Sequence, residues 1–164
     1  MSGTADHLSP ADAAVAMRSW PRRYRAALLP ADEPVVEARA VTIGPAGVSA
    51  TDLAADTVRS LTVLERALHD LRVTDAPTLH PAVTDRAARH WDAAVRETPA
   101  SVLDQLDDRS RSFADAIDAV AATEWSRSGT CNGQTVTASD VVREAVDTAS
   151  TNLRAMEALL ASLG

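Results

Sequence analysis

The stretch Val48-Ser49-Ala50-Thr51-Asp52-Leu53-Ala54-Ala55-Asp56 decides the fold, because the chain writes it twice. Val136-Thr137-Ala138-Ser139-Asp140-Val141-Val142-Arg143-Glu144 aligns with it without a gap. Val, Ala and Asp recur, Ser and Thr interchange, and Asp56 matches Glu144; further on, Val58 matches Val146 and Ser60 matches Thr148. Each copy opens with a hydroxyl residue placed three before an acid, the pattern of a capped helix start. After Ser49, the residues Leu53, Thr57, Leu61, Leu64, Leu68 and Leu71 keep a three-or-four spacing, which lays one buried stripe along a helix. The repeat predicts that the second and fourth helices are counterparts, with the first and third helices as their respective hairpin partners.

Working outward, Ser9-Pro10-Ala11-Asp12 starts the first helix, with a capping side chain, a proline in the first turn and an acid after it. Ala13, Met17, Trp20, Tyr24 and Leu28 follow at helical spacing, and Pro21 inside the run predicts a kink. Pro30 and Pro34 end this segment, and the stretch to Gly47 reads as a linker. Val73 to Pro81 reads as a loop, and Thr84 to Glu97 as a short helix around Trp91 and Val95. Thr98-Pro99 opens the third long helix, with Leu103, Leu106, Ser110, Phe113, Ile117 and Val120 on one face. Thr123 to Gln134, with Asn132-Gly133, reads as a turn region, and the last helix runs from Thr137 to about Leu160. The expectation is an all-α, antiparallel up-down four-helix bundle with a short extra helix between helices two and three, forming one domain over residues 1–164.

Composition agrees. Hydrophobic residues make up 46% of the chain but aromatics only 3%, so the apolar material is Ala, Leu and Val, which suits helices better than strands. The net charge of −7 and the lack of any basic run argue against nucleic acid as a partner; Arg22, Arg23 and Arg25, the densest basic cluster, read as a solvated helix face. No apolar stretch approaches the ~20 residues that span a bilayer, and residues 1–7 carry no secretory signal. A single cysteine, Cys131, leaves no internal disulfide, so the expected setting is the cytoplasm.

The chemistry-bearing candidates follow from the repeat. Asp56 and Glu144 each lie seven residues beyond a helix cap at the edge of a buried stripe, and Ser60 and Thr148 stand one turn further on. Two carboxylates facing each other in a partly dry cleft raise one another's pKa or require a cation. The alternative is that both are flank residues, solvated or paired to Arg59 and Arg143. His69, His80 and His90 match no metal-ligand spacing and read as surface residues, and Cys131 reads as an exposed thiol in a Gly/Asn turn. Trp20, Trp91 and Trp125 read as packing residues, one of which could wall a cavity.

The segments Gly47-Val-Ser-Ala-Thr-Asp-Leu and Gly133-Gln-Thr-Val-Thr-Ala-Ser-Asp-Val-Val-Arg-Glu-Ala-Val, with Trp125 ahead of the second, resemble the DinB-like superfamily. The nearest flavour is the N-terminal domain of mycothiol-dependent maleylpyruvate isomerase. The resemblance spans nearly the whole chain in helix order, while its specific motifs lie at the starts of helices two and four. It implies an up-down bundle holding a divalent metal between helices, which activates a thiol such as mycothiol for transfer or isomerisation. Its ligand positions fall on Asp56 in helix two, and on Glu144 and Thr148 in helix four, or on Thr148 and Asn152 in another register. Of these, Glu144 fits the ligand pattern, and Thr is a poor metal ligand. The site is therefore degenerate: it either holds a weak, hard cation through two carboxylates, a hydroxyl and water, or has lost its metal. The chain also has no counterpart of the isomerase's C-terminal domain, so the isomerisation itself is not expected. Two readings stand. One is a thiol-dependent transferase or isomerase with a divergent metal site; the other is a non-catalytic protein that binds a small molecule in the inter-helix pocket or forms a homodimer.

Overall fold

The structure, a computed structural model, describes residues 8–90 and 96–164. Among them, four long helices carry the fold: α1 (Pro10–Leu28), α3 (Ala50–Val73), α4 (Pro99–Asp118) and α5 (Ala138–Ser162). Each begins where a hydroxyl residue was read as its cap. Ser9, Ser49, Thr98 and Thr137 accept hydrogen bonds from the backbone N–H groups of Asp12, Asp52, Ser101 and Asp140 at 3.1, 3.1, 3.2 and 3.0 Å. In the two repeated segments the acid answers: the backbone N–H groups of Ser49 and Thr137 donate to the carboxylates of Asp52 and Asp140, closing both capping boxes.

The expected stripes are buried. Met17, Trp20, Tyr24 and Leu28 of α1, Leu61, Leu64, Leu68 and Leu71 of α3, and Leu103, Leu106, Phe113 and Ile117 of α4 belong to one core with Val141, Ala145, Ala149, Leu153 and Met156 of α5. Leu53 is only half-buried, and Val120 lies past the end of α4.

Helix directions follow from pairs of contacts. Arg18 bonds Asp115 and Asp118 while Arg25 bonds Asp107, so α1 and α4 are antiparallel. Thr57 meets Asn152, and Ser60 and Thr148 share a partner, so α3 and α5 are antiparallel as well. Ser112 donates to Glu65 and Arg72 to the Ala119 carbonyl, a constant offset that makes α3 and α4 parallel. In this respect the order departs from a plain up-down course: α3 and α4 run the same way, joined by the long crossover 74–98. The hairpin-partner expectation is corrected too. The first long helix packs beside α4 and α5, and meets α3 across the bundle diagonal through Tyr24 and Thr57. The repeated helices pack directly on each other.

Three connections differ from the sequence reading. The stretch read as a linker contains a short helix, α2 (Pro34–Ala40), whose last residue is buried and whose Arg39 donates to the Leu160 carbonyl. Of the short helix expected over Thr84 to Glu97, the described part holds one 3-10 turn, Arg86–Arg89, preceded by another at Pro81–Val83; Trp91 and Val95, the centre of the expected helix, lie outside the described residues. The expected turn region folds into a hairpin, β1 (Ser128–Cys131) antiparallel to β2 (Gln134–Thr137). Asn132 and Gly133 turn it, with φ of 50° and 77°, the two positive values that a two-residue hairpin turn needs. The backbone of Pro77 to Leu79 adds to β1 through bonds to Thr130, and a Cβ on Gly129 would collide with the Pro77 carbonyl. This clamp fixes where the crossover begins.

Candidate functional site

The antiparallel pairing of α3 and α5 creates a polar seam. At one level Thr57 and Asn152 meet at 2.9 Å, and the Tyr24 hydroxyl lies 2.9 Å from Thr57 and donates to the Ala149 carbonyl at 2.6 Å. Burial pushes the Tyr24 phenol well above its ordinary pKa, so it stays a neutral donor. One turn further along, Ser60 of α3 and Thr148 of α5, both buried, face the crossover.

The crossover fills the space between them with Arg89. Its side chain is 1% exposed, and all of its nitrogens find oxygen. Nε donates to Ser60 Oγ at 3.1 Å, Nη1 to the carbonyls of Ala82 and Val83 at 3.0 Å each, and Nη2 to Thr148 Oγ1 at 3.2 Å. Glu144 Oε2 stands 3.8 Å from Nη2. Burial lowers the Arg89 pKa from its ordinary value, and Glu144 pulls the other way. The closer bonds of Glu144 go to Arg86, whose Nε lies 2.9 and 3.4 Å from the two carboxylate oxygens and whose Nη2 also donates to Oε1. These bonds raise the pKa of Arg86. The Thr148 hydroxyl closes the group by donating to Glu144 at 3.3 Å.

Of the residues read from sequence, Glu144 and Thr148 come together. Asp56 does not join them: it lies beside Thr57, level with Asn152, and Glu144 is two turns away along α5, about 12 Å of helix rise. Asp56 meets the exposed His90 instead, carboxylate to Nδ1 at 3.3 Å. The two carboxylates are thus linked through one short segment of crossover, Arg86 to His90, rather than through a shared cavity. Arg86 and Arg89 were not singled out in the sequence. The available signal was two arginines three apart in a connection, beside boundary groups in need of a cation.

These residues do not fit a divalent metal. Among the described residues no three His, Cys, Asp or Glu side chains converge. A dication about 4 Å from the Arg89 guanidinium would meet about 8 kcal/mol of repulsion at an effective dielectric near 20. Arg89, a protein cation, takes up the Glu144–Thr148 end of the implied ligand set, while Asp56 and Asn152 lie at another level of the seam.

Elsewhere, Cys131 is buried rather than exposed, with Sγ 3.3 Å from Thr84 Oγ1 and from the His80 carbonyl. His69 and His80 are on the surface as expected, and His80 Nδ1 accepts from the Ala82 N–H. Trp20 is buried with Arg23 over its ring at 4.6 Å, whereas Trp125 walls a cleft of about 280 Å³ with Ala13, Val142 and Arg143. No helix among the described residues is long and apolar enough to cross a membrane.

No protein-family model matches the chain, and no curated protein matches it either. Among solved structures it is similar to YfiT from Bacillus subtilis, described as a probable metal-dependent hydrolase with an unusual four-helix bundle topology. The TM-score is 0.78 over 94% of this chain and 87% of that one, at 11% sequence identity. The chain has the YfiT-type four-helix fold.

Proposed function

We propose that this protein is a non-catalytic, metal-independent binding protein of the cytoplasm, in which the seam between α3 and α5 serves as a receptor for a small molecule. The observation that carries the reading is the buried Arg89 guanidinium, bonded to Ser60, to two backbone carbonyls and to Thr148, one of the residues on which the family resemblance puts a metal ligand. YfiT is described as a probable metal-dependent hydrolase, and thiol transfer of the mycothiol-dependent kind is the metal-requiring activity that the family resemblance implies. The donor set here favours neither. One carboxylate and two hydroxyls already serve arginines, and Asp56 is taken up at another level.

The test is metal content and thermal response of protein purified without a chelating tag. The expected result is substoichiometric Mn, Ni and Zn and a melting temperature unmoved by chelator or by added metal. A stoichiometric metal, or a rise of several degrees on adding one that Glu144→Ala abolishes, would overturn the reading.

A further inference from the structure

We infer that the α3–α5 seam is a guanidinium-binding site that Arg89 occupies from within, and that alkyl-guanidinium compounds, including the side chain of arginine, compete for it. This rests on the binding-protein reading above and names its ligand class.

The cage matches one chemical group. A guanidinium is flat and carries its N–H donors around its edge in fixed directions. Here the acceptors sit around that edge: Ser60 Oγ against Nε, the Ala82 and Val83 carbonyls against Nη1, and Thr148 Oγ1 against Nη2, all between 3.0 and 3.2 Å. An ammonium has three donors in a tetrahedral array and cannot serve this ring of acceptors, and a divalent metal would want more carboxylate than Glu144 alone. The acceptors do not depend on Arg89 for their positions. Ser60 and Thr148 are set by two long helices, and the Ala82–Val83 carbonyls are held where the crossover is tied down by Arg86 on Glu144 and by His90 beside Asp56. Removing the Arg89 side chain therefore leaves the cage built and one cation short.

Arg89 is also a replaceable occupant. It rides on a four-residue 3-10 turn rather than on a long helix. Its carboxylate lies at 3.8 Å while Arg86 takes the closer bonds, so most of its partners are neutral. The advantage it holds over a free ligand is that of tethering, an effective concentration on the order of millimolar for a short connection. A free guanidinium must overcome that advantage in the native chain and escapes it in a variant without Arg89.

The experiment compares the native protein, Arg89→Ala, and Arg89→Ala with Glu144→Gln, by thermal shift and calorimetry, titrated with N-ethylguanidinium chloride. Ethylammonium chloride, sodium chloride and magnesium chloride serve as controls. The inference expects saturable stabilisation of Arg89→Ala by several degrees with ethylguanidinium and none beyond the salt effect with the controls. It also expects at least tenfold weaker binding to the native protein and a loss of most of the gain in the double variant. Equal responses to ethylguanidinium and ethylammonium, or equal affinities of native protein and Arg89→Ala, would overturn it. If Arg89→Ala does not fold, refolding it with and without ethylguanidinium decides: recovery with ethylguanidinium alone supports the site, and no recovery overturns it. A metal found in the native protein would sink both readings, whereas a metal-free protein whose variant ignores ethylguanidinium removes only this one.

Discussion

Arg86 and Arg89 face the same carboxylate, Arg86 through hydrogen bonds and Arg89 at 3.8 Å, and their surroundings give them different weight. Arg86 is 46% exposed, where an ion pair contributes under about 1 kcal/mol; Arg89 is 1% exposed, and deleting it strands the buried acceptors Ser60, Thr148 and two carbonyls, at about 1–3 kcal/mol for each one left without a donor. Urea denaturation of Arg86→Ala and Arg89→Ala should show this contrast, and equal losses would contradict the assigned burial. Tyr24, the one tyrosine of the chain, gives a second reading of the same seam. Its folded pKa lies above the ordinary value of 10.0, so its neutral form stabilises the fold fully below pH 10, and the benefit fades as pH climbs through the raised value. At about pH 11 the native protein should show little phenolate absorbance, whereas urea-unfolded protein should show about nine-tenths of the full signal. Tyr24→Phe, which strips the contacts with Thr57 and Ala149, should cost about 1–2 kcal/mol.

At the scale of elements, the two capping boxes predict matched effects. Ser49→Ala and Thr137→Ala should each lower stability by about 1 kcal/mol, and the double variant should lose the sum, because the two caps sit at opposite ends of the antiparallel pair. A marked departure from additivity would mean the two caps communicate. Gly133→Ala should cost about 1–2 kcal/mol by forcing a side chain into positive φ. These are also the features the sequence made legible. Caps and stripes depend on neighbours within a few positions, and the four caps and most of the stripe residues stand where the sequence puts them, Leu53 and Val120 excepted. The hairpin was missed although Asn132-Gly133 announces one, because its flanking strands are four residues long and carry little alternation. Helix α2 was missed because two prolines outweighed a helical run that starts on the second of them.

For the whole molecule, what the sequence withheld is which helices are neighbours. Spacing along a stripe says that a face is buried and not against what, so the pairing of α3 with α5 and the parallel course of α3 and α4 emerged only in three dimensions. The site was half legible for the same reason. Glu144 and Thr148 were read from a local motif, but the arginines that complete the site come from a crossover whose path is set by the clamp at Pro77 and Gly129. That clamp also buries Cys131, to 1% exposure, so its thiol should react with a disulfide reagent only as the fold opens. Thiol-labelling rates should track global stability across the variants above, and rapid labelling of native protein would show that the hairpin opens independently.

Because α1 and α5 run in the same direction, the start of α1 and the end of α5 lie at opposite poles of the bundle. The start of α1 shares a cleft with the start of α5, while the far end of α5 lies by the entrance to α3, beside Gly44 and Arg39. With 25 residues in α5, the gap between the poles is about 37 Å. A tether joining the end of α5 to the start of α1 would need about a dozen extended residues along the side of the bundle, and two fluorophores attached at those two points would report on the full length of the helices rather than on one face.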